Sequence, residues 1–416
     1  MTPAARLQTN IELQDIIWSA HVPMDRTLND YFRTHRHIGS KDRREIADRA
    51  YSMMRHHARL SWHAEKLGDE SWRMKAFLHY ILVEENRVKD LIKLCATGGQ
   101  YAPSNIRPEE EKTFARMLPM LEPLDMPQLV RVECPPEAEN YLVRAFGKAF
   151  EENMRAMLRP ATLDMRVNTL KCTGEQARAS LDKDGIKTNR MGNSPIGLRA
   201  IDKIALSKCD AYEQGLIDIQ EEGSQLIALM TDAKSGEYVM DYCAGAGGKT
   251  LALAAMMENK GRLVAMDIDQ KRLDKGRKRY KKAGVHNVEV KCLSNEKDKQ
   301  WLKRQYGKFD CVLVDAPCSS SGTWQRNPDL RWRHYGPTMT ELLDLQKNIL
   351  QDATKLLKKG GRIVYATCSL NSSENIGQVN HFLANNEDFA LTEYGKEYYD
   401  VMQQRGFFAR VLVKNK

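Results

Sequence analysis

A chain of 416 residues is too long for one ordinary hydrophobic core, so two or three domains are expected. With 42% hydrophobic and 29% charged residues it has the balance of a soluble globular protein, which excludes a disordered or fibrous chain, and its net charge of +9 suits a polyanionic partner without requiring one. The nine cysteines form no C-x-x-C pair and no Cys/His cluster at zinc spacing, so neither a disulfide framework nor a bound metal is expected.

The opening residues "MTPAARLQTN" lack the apolar core of a signal peptide, and no apolar run approaches a membrane span. A cytoplasmic protein with no membrane contact is expected. Residues 1–130 read as an all-helical domain, because "AARLQTNIELQDIIWSA" and "RREIADRAYSMMRHHARL" repeat apolar residues at spacings of three and four. Between Arg33 and Leu60, arginines, a lysine and four histidines outnumber three acids. This run is either a solvated helix face or a surface that contacts phosphates.

From Pro103 to Pro136 the chain is rich in proline and acids and reads as a linker with short helices. Residues 131–219 are expected to form a small α+β subdomain. In it, "LDMRVNTLK" alternates Arg166 and Asn168 with Met165 and Val167, as a half-buried strand would. The helix "GEQARASLDKDG" and the apolar pieces "IGLRAI" and "DKIAL" follow. Residues 220–416 change pattern. Strands "EYVMDYCA", "GRLVAMD", "VEVKC", "FDCVLVDAP" and "GRIVYATCS" alternate with helices, including "TELLDLQKNILQDATKLLKKG", which predicts an α/β domain with a doubly wound parallel sheet. "FALTEY" and "GFFARVLVK" are expected to form an antiparallel hairpin at one edge.

Such sheets bind ligands at the carboxyl ends of their strands. In "DYCAGAGGKT" a strand ends on Asp241 and a glycine-rich turn opens a helix. A phosphate-binding P-loop would need glycine where Cys243 stands, and a dinucleotide fingerprint would need glycine or alanine where Thr250 stands. What fits is the acid-x-x-x-Gly-x-Gly pattern of S-adenosylmethionine-dependent methyltransferases. Asp267 ends the next strand at the spacing of a ribose-binding acid; its other reading is a helix N-cap, a place that Asp269 fills better. Asp315 ends "VLVDAPC".

Two thiols also follow strand ends, Cys318 after Asp-Ala-Pro and Cys368 in "YATCSL". A single such cysteine is most often a small buried hydrophobe. Two of them suit the methylation of a pyrimidine at carbon 5, which is a poor nucleophile until a thiolate adds to carbon 6. That chemistry also needs an acid at ring nitrogen 3 and a route for releasing the product. The target base must be unstacked. "TWQRNPDLRWRHY" interleaves Trp324, Trp332 and Tyr335 with Arg326, Arg331 and Arg333, either as an RNA-contacting segment or as an amphipathic loop.

In "CAGAGGKT", "VDAPCSSSGTWQRNPDLRW", "YATCSL" with "SSENIGQV", and "MRVNTLK" with "QEEGSQLIA", the chain resembles RNA (cytosine-5) methyltransferases of the Sun/Fmu/RsmB type from about Val130 onward. Its N-terminal helices resemble, more loosely, a NusB-like RNA-binding domain. The resemblance implies a class I methyltransferase sheet that uses S-adenosylmethionine. It makes Cys368 the nucleophile and Cys318 the thiol that helps to break down the adduct. Asp315 would meet the target base and the cofactor. Cys243, Ala244, Gly245, Ala246, Gly247, Gly248 and Lys249, with Asp267, would hold the cofactor. The substrate implied is small-subunit (16S) ribosomal RNA, acted on by a monomer; transfer RNA, or a non-catalytic role in ribosome assembly, are the alternatives. The chain departs from the family in two places. It has Ala244-Gly245-Ala246 where the family commonly has Ala-Ala-Pro, and Ser294 and Asn295 where many members carry an acid.

Overall fold

The computed structural model of the chain describes residues 1–99, 101–116, 120–202, 206, 209–394 and 406–415. It separates into two units, Met1–Pro160 with Thr323–Gly336, and Ala161–Gly322 with Pro337–Lys416.

The described secondary structure of the first unit is helical. Helix Pro3–Ser19 buries Leu7, Leu13 and Ile17, residues at helical spacing, against Met53, Met54, Leu60 and Phe77. The expected long helix around "RREIADRAYSMMRHHARL" is two, Ser40–Arg55 and His57–Leu67, broken at His56 where the backbone leaves helical geometry. Helices Pro136–Phe146 and Phe150–Ala156 belong to this unit too, so the boundary expected at 130 lies at 160. Glu133 supplies the reason. Fully buried, it accepts from the Ala58 and Arg59 amides at 2.7 and 3.1 Å and from Arg59 Nε at 3.0 Å, which binds residues after 130 to the helical core.

The segment 323–336 corrects a second expectation. Trp324 and Arg331 are buried, with the guanidinium 4.8 Å from the Trp324 ring centre. Asp329 accepts from the Met24 amide at 2.9 Å, Trp332 donates to the Met54 carbonyl at 3.2 Å, and Arg333 donates to the carbonyls of Ile17 and Ala20. The aromatic and basic side chains expected to meet RNA are therefore largely spent inside the helical unit; of the three arginines only Arg326 is exposed.

In the second unit, β1 (Asp164–Val167), β2 (Thr188–Arg190), β3 (Gly197–Ala200) and β4 (Ile217–Ile219) form an antiparallel sheet in the order β2-β3-β1-β4. All four residues of β1 are buried, against the expectation of a polar face in solvent. Arg166 Nε donates to Gln220 Oε1 at 2.8 Å, and Asn168 Nδ2 to the Gly215 and Ala283 carbonyls at 2.8 and 2.9 Å; these bonds offset the cost of burying both groups. Most of "DKIAL" lies outside the described residues.

The large sheet contains β5 (Tyr238–Asp241), β6 (Arg262–Asp267), β7 (Val288–Cys292), β8 (Phe309–Asp315), β9 (Leu357–Thr367), β10 (Phe389–Leu391) and β11 (Phe408–Lys414) in the order β10-β11-β9-β8-β5-β6-β7. Strands β5 to β9 are parallel, and β11 and β10 close the edge antiparallel, as expected. Core residues alternate between the two faces: Met240, Val312, Val314 and Tyr365 on one, Val239, Cys311, Leu313 and Val364 on the other. Burial on both faces is why these strands read as unbroken apolar runs. The helix expected to reach Gly360 ends at Thr354, and Leu357 already pairs with Phe309. Residues 358–361 then bulge around Gly360, at φ +76°, while Lys358 pairs with Asp310 at 2.8 Å.

Gly322, where the chain leaves this unit, meets Gly406 backbone to backbone, and a Cβ on Gly322 would collide with the Gly406 carbonyl. Neither backbone can yield as a side chain could. Gly322→Ala is expected to lower unfolding stability by about 1–3 kcal/mol, read from urea denaturation midpoints.

Candidate active site

The chain lays β6 and β7 on one side of β5 and then returns to place β8 on the other. The strand order therefore reverses between β5 and β8, and Asp241, Asp267, Asp315 and Cys368 follow or end neighbouring strands at one rim.

The glycine-rich turn runs from Asp241 into helix Gly248–Met256. Asp241 is buried; one carboxylate oxygen accepts from Thr250 Oγ1 at 2.7 Å and the other has no hydrogen-bond partner. Burial pushes this carboxyl up to about 7. Gly245 has φ +55°, and a Cβ there would meet the Arg272 guanidinium, so glycine at this departure from the family makes room for an arginine. Arg279 braces the turn, donating to the Ala246 carbonyl at 2.6 Å and pairing with Asp218 next to β1. A basic helix of this kind, "QKRLDKGRKRYKKAG", reads equally well as a solvated face, so the sequence does not disclose this link.

Asp267 is 6% exposed and accepts from the Gly245 amide at 2.7 Å and the Asp269 amide at 2.9 Å. Asp269 is the helix N-cap, accepting from the Lys271 and Arg272 amides. Ile268, between them, is 76% exposed, an apolar face beside a carboxylate that sequence reasoning overlooked. Asn295 caps helix Glu296–Lys303 in a capping box with Asp298, whose carboxylate also accepts from the Ser294 amide.

On β8, Asp315 accepts from Lys249 Nζ at 2.6 Å. Burial pulls the lysine's pKa down, but the Asp315 charge and hydrogen bond outweigh it, so the ammonium is held above its ordinary range. Cys243 is half-buried, and burial raises its thiol well above the ordinary value.

Cys318 and Cys368, 50 positions apart, stand with their sulfurs 3.5 Å apart, both half-buried. Ser320 Oγ lies 3.4 Å from Cys368 Sγ, on a backbone held at φ +58°. The hydrogen bond to Cys318, with help from Ser320 and Lys249, lowers Cys368 despite its burial; the same bond and burial push Cys318 up. The arrangement favours ionisation of Cys368 over that of Cys318. Cys95, Cys134, Cys209 and Cys311 are buried hydrophobes.

In the helical unit the basic run divides. Arg49 and Arg59 are paired with Glu84 and Glu133, and desolvation pushes His56 and His57 down to about 3. Ahead of them, Asn29, Phe32, Arg33, Arg36 and Arg43 line a cavity of about 430 Å³.

The family model described as 16S rRNA methyltransferase RsmB/F matches residues 228–412. A protein of Synechocystis named probable ribosomal RNA small subunit methyltransferase B is 34% identical over 59% of this chain, which spans 55% of that protein's length. The crystal structure of PH0851 is 25% identical with a TM-score of 0.79, covering 100% of this chain and 99% of its own. That of a methyltransferase homolog protein from Pyrococcus horikoshii is 29% identical with a TM-score of 0.58, covering 69% of this chain and 97% of its own. The second unit has the class I fold of S-adenosylmethionine-dependent methyltransferases. Residues 228–412 thus match the RsmB/F methyltransferase family model, within a second unit of class I methyltransferase fold.

Proposed function

We propose that the protein methylates carbon 5 of a cytosine in RNA, with small-subunit ribosomal RNA as substrate, working in the cytoplasm as a monomer. The observation that carries this reading is the pair of unlike sulfurs, 3.5 Å apart, in the loops that follow β8 and β9, at the rim that also holds the glycine turn and the Lys249–Asp315 pair. Bound S-adenosylmethionine supplies the methyl group. The residues present suit it. Asp267 keeps acceptor capacity for ribose hydroxyls, Ile268 offers an apolar face for a base, and Asp241, which ends the strand leading into the turn formed by Cys243 to Lys249, keeps one carboxylate oxygen without a hydrogen-bond partner.

In this reading the Cys368 thiolate adds to carbon 6 of the cytosine, and carbon 5 becomes nucleophilic. As the thiolate adds, ring nitrogen 3 takes a proton from solvent and donates it to Asp315, which Lys249 steadies; that proton is given back when the aromatic ring is restored. After methyl transfer, Cys318 gives its own proton to solvent and, as a thiolate, takes the proton from carbon 5 while the bond between carbon 6 and Cys368 breaks and restores the Cys368 thiolate. The arginine-lined cavity around Phe32 is suited to RNA phosphates. The similarity to the 16S rRNA methyltransferase RsmB/F family and to the Synechocystis protein named as a small-subunit ribosomal RNA methyltransferase supports ribosomal RNA as the substrate.

The full chain, incubated with labelled S-adenosylmethionine and unmodified small-subunit ribosomal RNA, should yield 5-methylcytosine on nucleoside analysis. No product with ribosomal or transfer RNA would overturn the reading. Asp267→Asn is expected to weaken S-adenosylmethionine binding about 10- to 100-fold by calorimetry, the loss of charge-assisted bonds to ribose.

A further inference from the structure

We propose that Glu374 is a positioning residue whose buried carboxylate clasps the two loops that carry the thiols and sets the separation at which Cys318 and Cys368 work. The inference rests on the roles proposed above for those cysteines. Glu374 is 0% exposed. It accepts from the Ser319 amide at 2.8 Å, from Ser319 Oγ at 2.5 Å, from Gln346 Nε2 at 3.0 Å, and from Ser369 Oγ. These donors are all neutral, and two are the hydroxyls of the serines that directly follow Cys318 and Cys368.

Packing alone would not need this chemistry. A carboxylate buried away from water is costly unless several donors converge on it, and an apolar side chain would fill the same volume more cheaply. What a carboxylate adds is acceptor capacity on two oxygens, enough to hold both loops at once. The clasp is reinforced on both sides. Gln346 also donates to the Pro317 carbonyl at 2.8 Å, the Gly322 amide to the Cys368 carbonyl at 2.9 Å, and the Leu370 amide to Ser321 Oγ at 2.8 Å. Ser319 Oγ and Ser369 Oγ lie 3.0 Å apart over the same carboxylate. Gln in place of Glu374 would bring its own N–H donors against donors already there, and the loops would part.

The test uses the full-length protein as wild type, Glu374→Gln, Ser319→Ala and Ser369→Ala. Two quantities are read on each: steady-state methylation of ribosomal RNA, and the rate at which diamide joins Cys318 to Cys368, mapped by peptide mass spectrometry. In that reaction the two thiols lose two electrons and two protons to the diazene. Glu374→Gln is expected to lower kcat about 10- to 100-fold with the KM for RNA and for cofactor little changed, and to slow Cys318–Cys368 bridging by a similar factor. The serine variants should show smaller losses of the same kind. They also keep the question open to refutation should Glu374→Gln fail to fold. A folded Glu374→Gln, or both serine variants, with wild-type kcat and wild-type bridging overturns the clasp. If the wild type makes no 5-methylcytosine, the proposed activity fails instead, and the bridging rates still decide the role of Glu374.

Discussion

Replacing Cys368 with alanine is expected to abolish methyl transfer, by a factor of the order of 10⁴ or more, while leaving cofactor affinity close to wild type. The affinity should persist because the groups proposed to hold the cofactor, Asp267 and the turn from Cys243 to Lys249, are held by hydrogen bonds in which Cys368 takes no part. The activity should vanish because no other group at the rim can replace an ionised sulfur. Cys318 is close enough, but its hydrogen bond to Cys368 and its burial keep it protonated. The pH dependence follows from the lowered Cys368 value. Below that value the sulfur is protonated and addition to carbon 6 stops; through it the rate rises, and it levels off before the ordinary thiol range is reached. Alkylation gives an independent reading. At neutral pH iodoacetamide should label Cys368 faster than Cys318. Faster labelling of Cys318, or turnover by the Cys368→Ala protein, would reassign the nucleophile.

The acids and thiols of this site were legible because of where parallel strands put things. A strand buried on both faces reads as an apolar run, so the first polar residue after it marks the rim, as with Asp241, Asp267 and Asp315. What was not legible was the identity of partners. Trp324, Arg331, Trp332 and Arg333 have a composition that would equally suit stacking on bases; only the tertiary structure shows the guanidinium of Arg331 over Trp324 and that of Arg333 on backbone carbonyls. Arg166 and Asn168 misled in the same way, since alternation reports two unlike faces but not whether the polar one meets water or a buried acceptor. The domain limit at 160 rests on the Glu133 side chain, and local helical periodicity says nothing of it. Glu374 lay in plain view within "SSENIGQV", yet its donors come from Ser319, Gln346 and Ser369, which only folding gathers.

Cys318→Ala should behave differently from Cys368→Ala: methyl transfer should occur once, and the RNA should then stay attached. The expected product is a protein–RNA complex that survives denaturing electrophoresis and carries one methyl group per enzyme, with multiple turnover reduced about 10²- to 10⁴-fold. The reason lies in the coupling of the two sulfurs. While Cys368 is a thiolate, its charge keeps the proton on Cys318, 3.5 Å away. Once Cys368 has bonded to carbon 6 it is a neutral thioether. The repulsion that held Cys318 protonated is gone, and its thiol becomes easier to ionise at the step when a base is needed at carbon 5. Alanine removes that base but leaves the nucleophile intact, so addition and methylation proceed and elimination does not. The double variant Cys318→Ala, Cys368→Ala should form no complex, which ties the adduct to Cys368. Free turnover by Cys318→Ala would mean that another group takes the proton, and the sulfur pair would lose its division of labour.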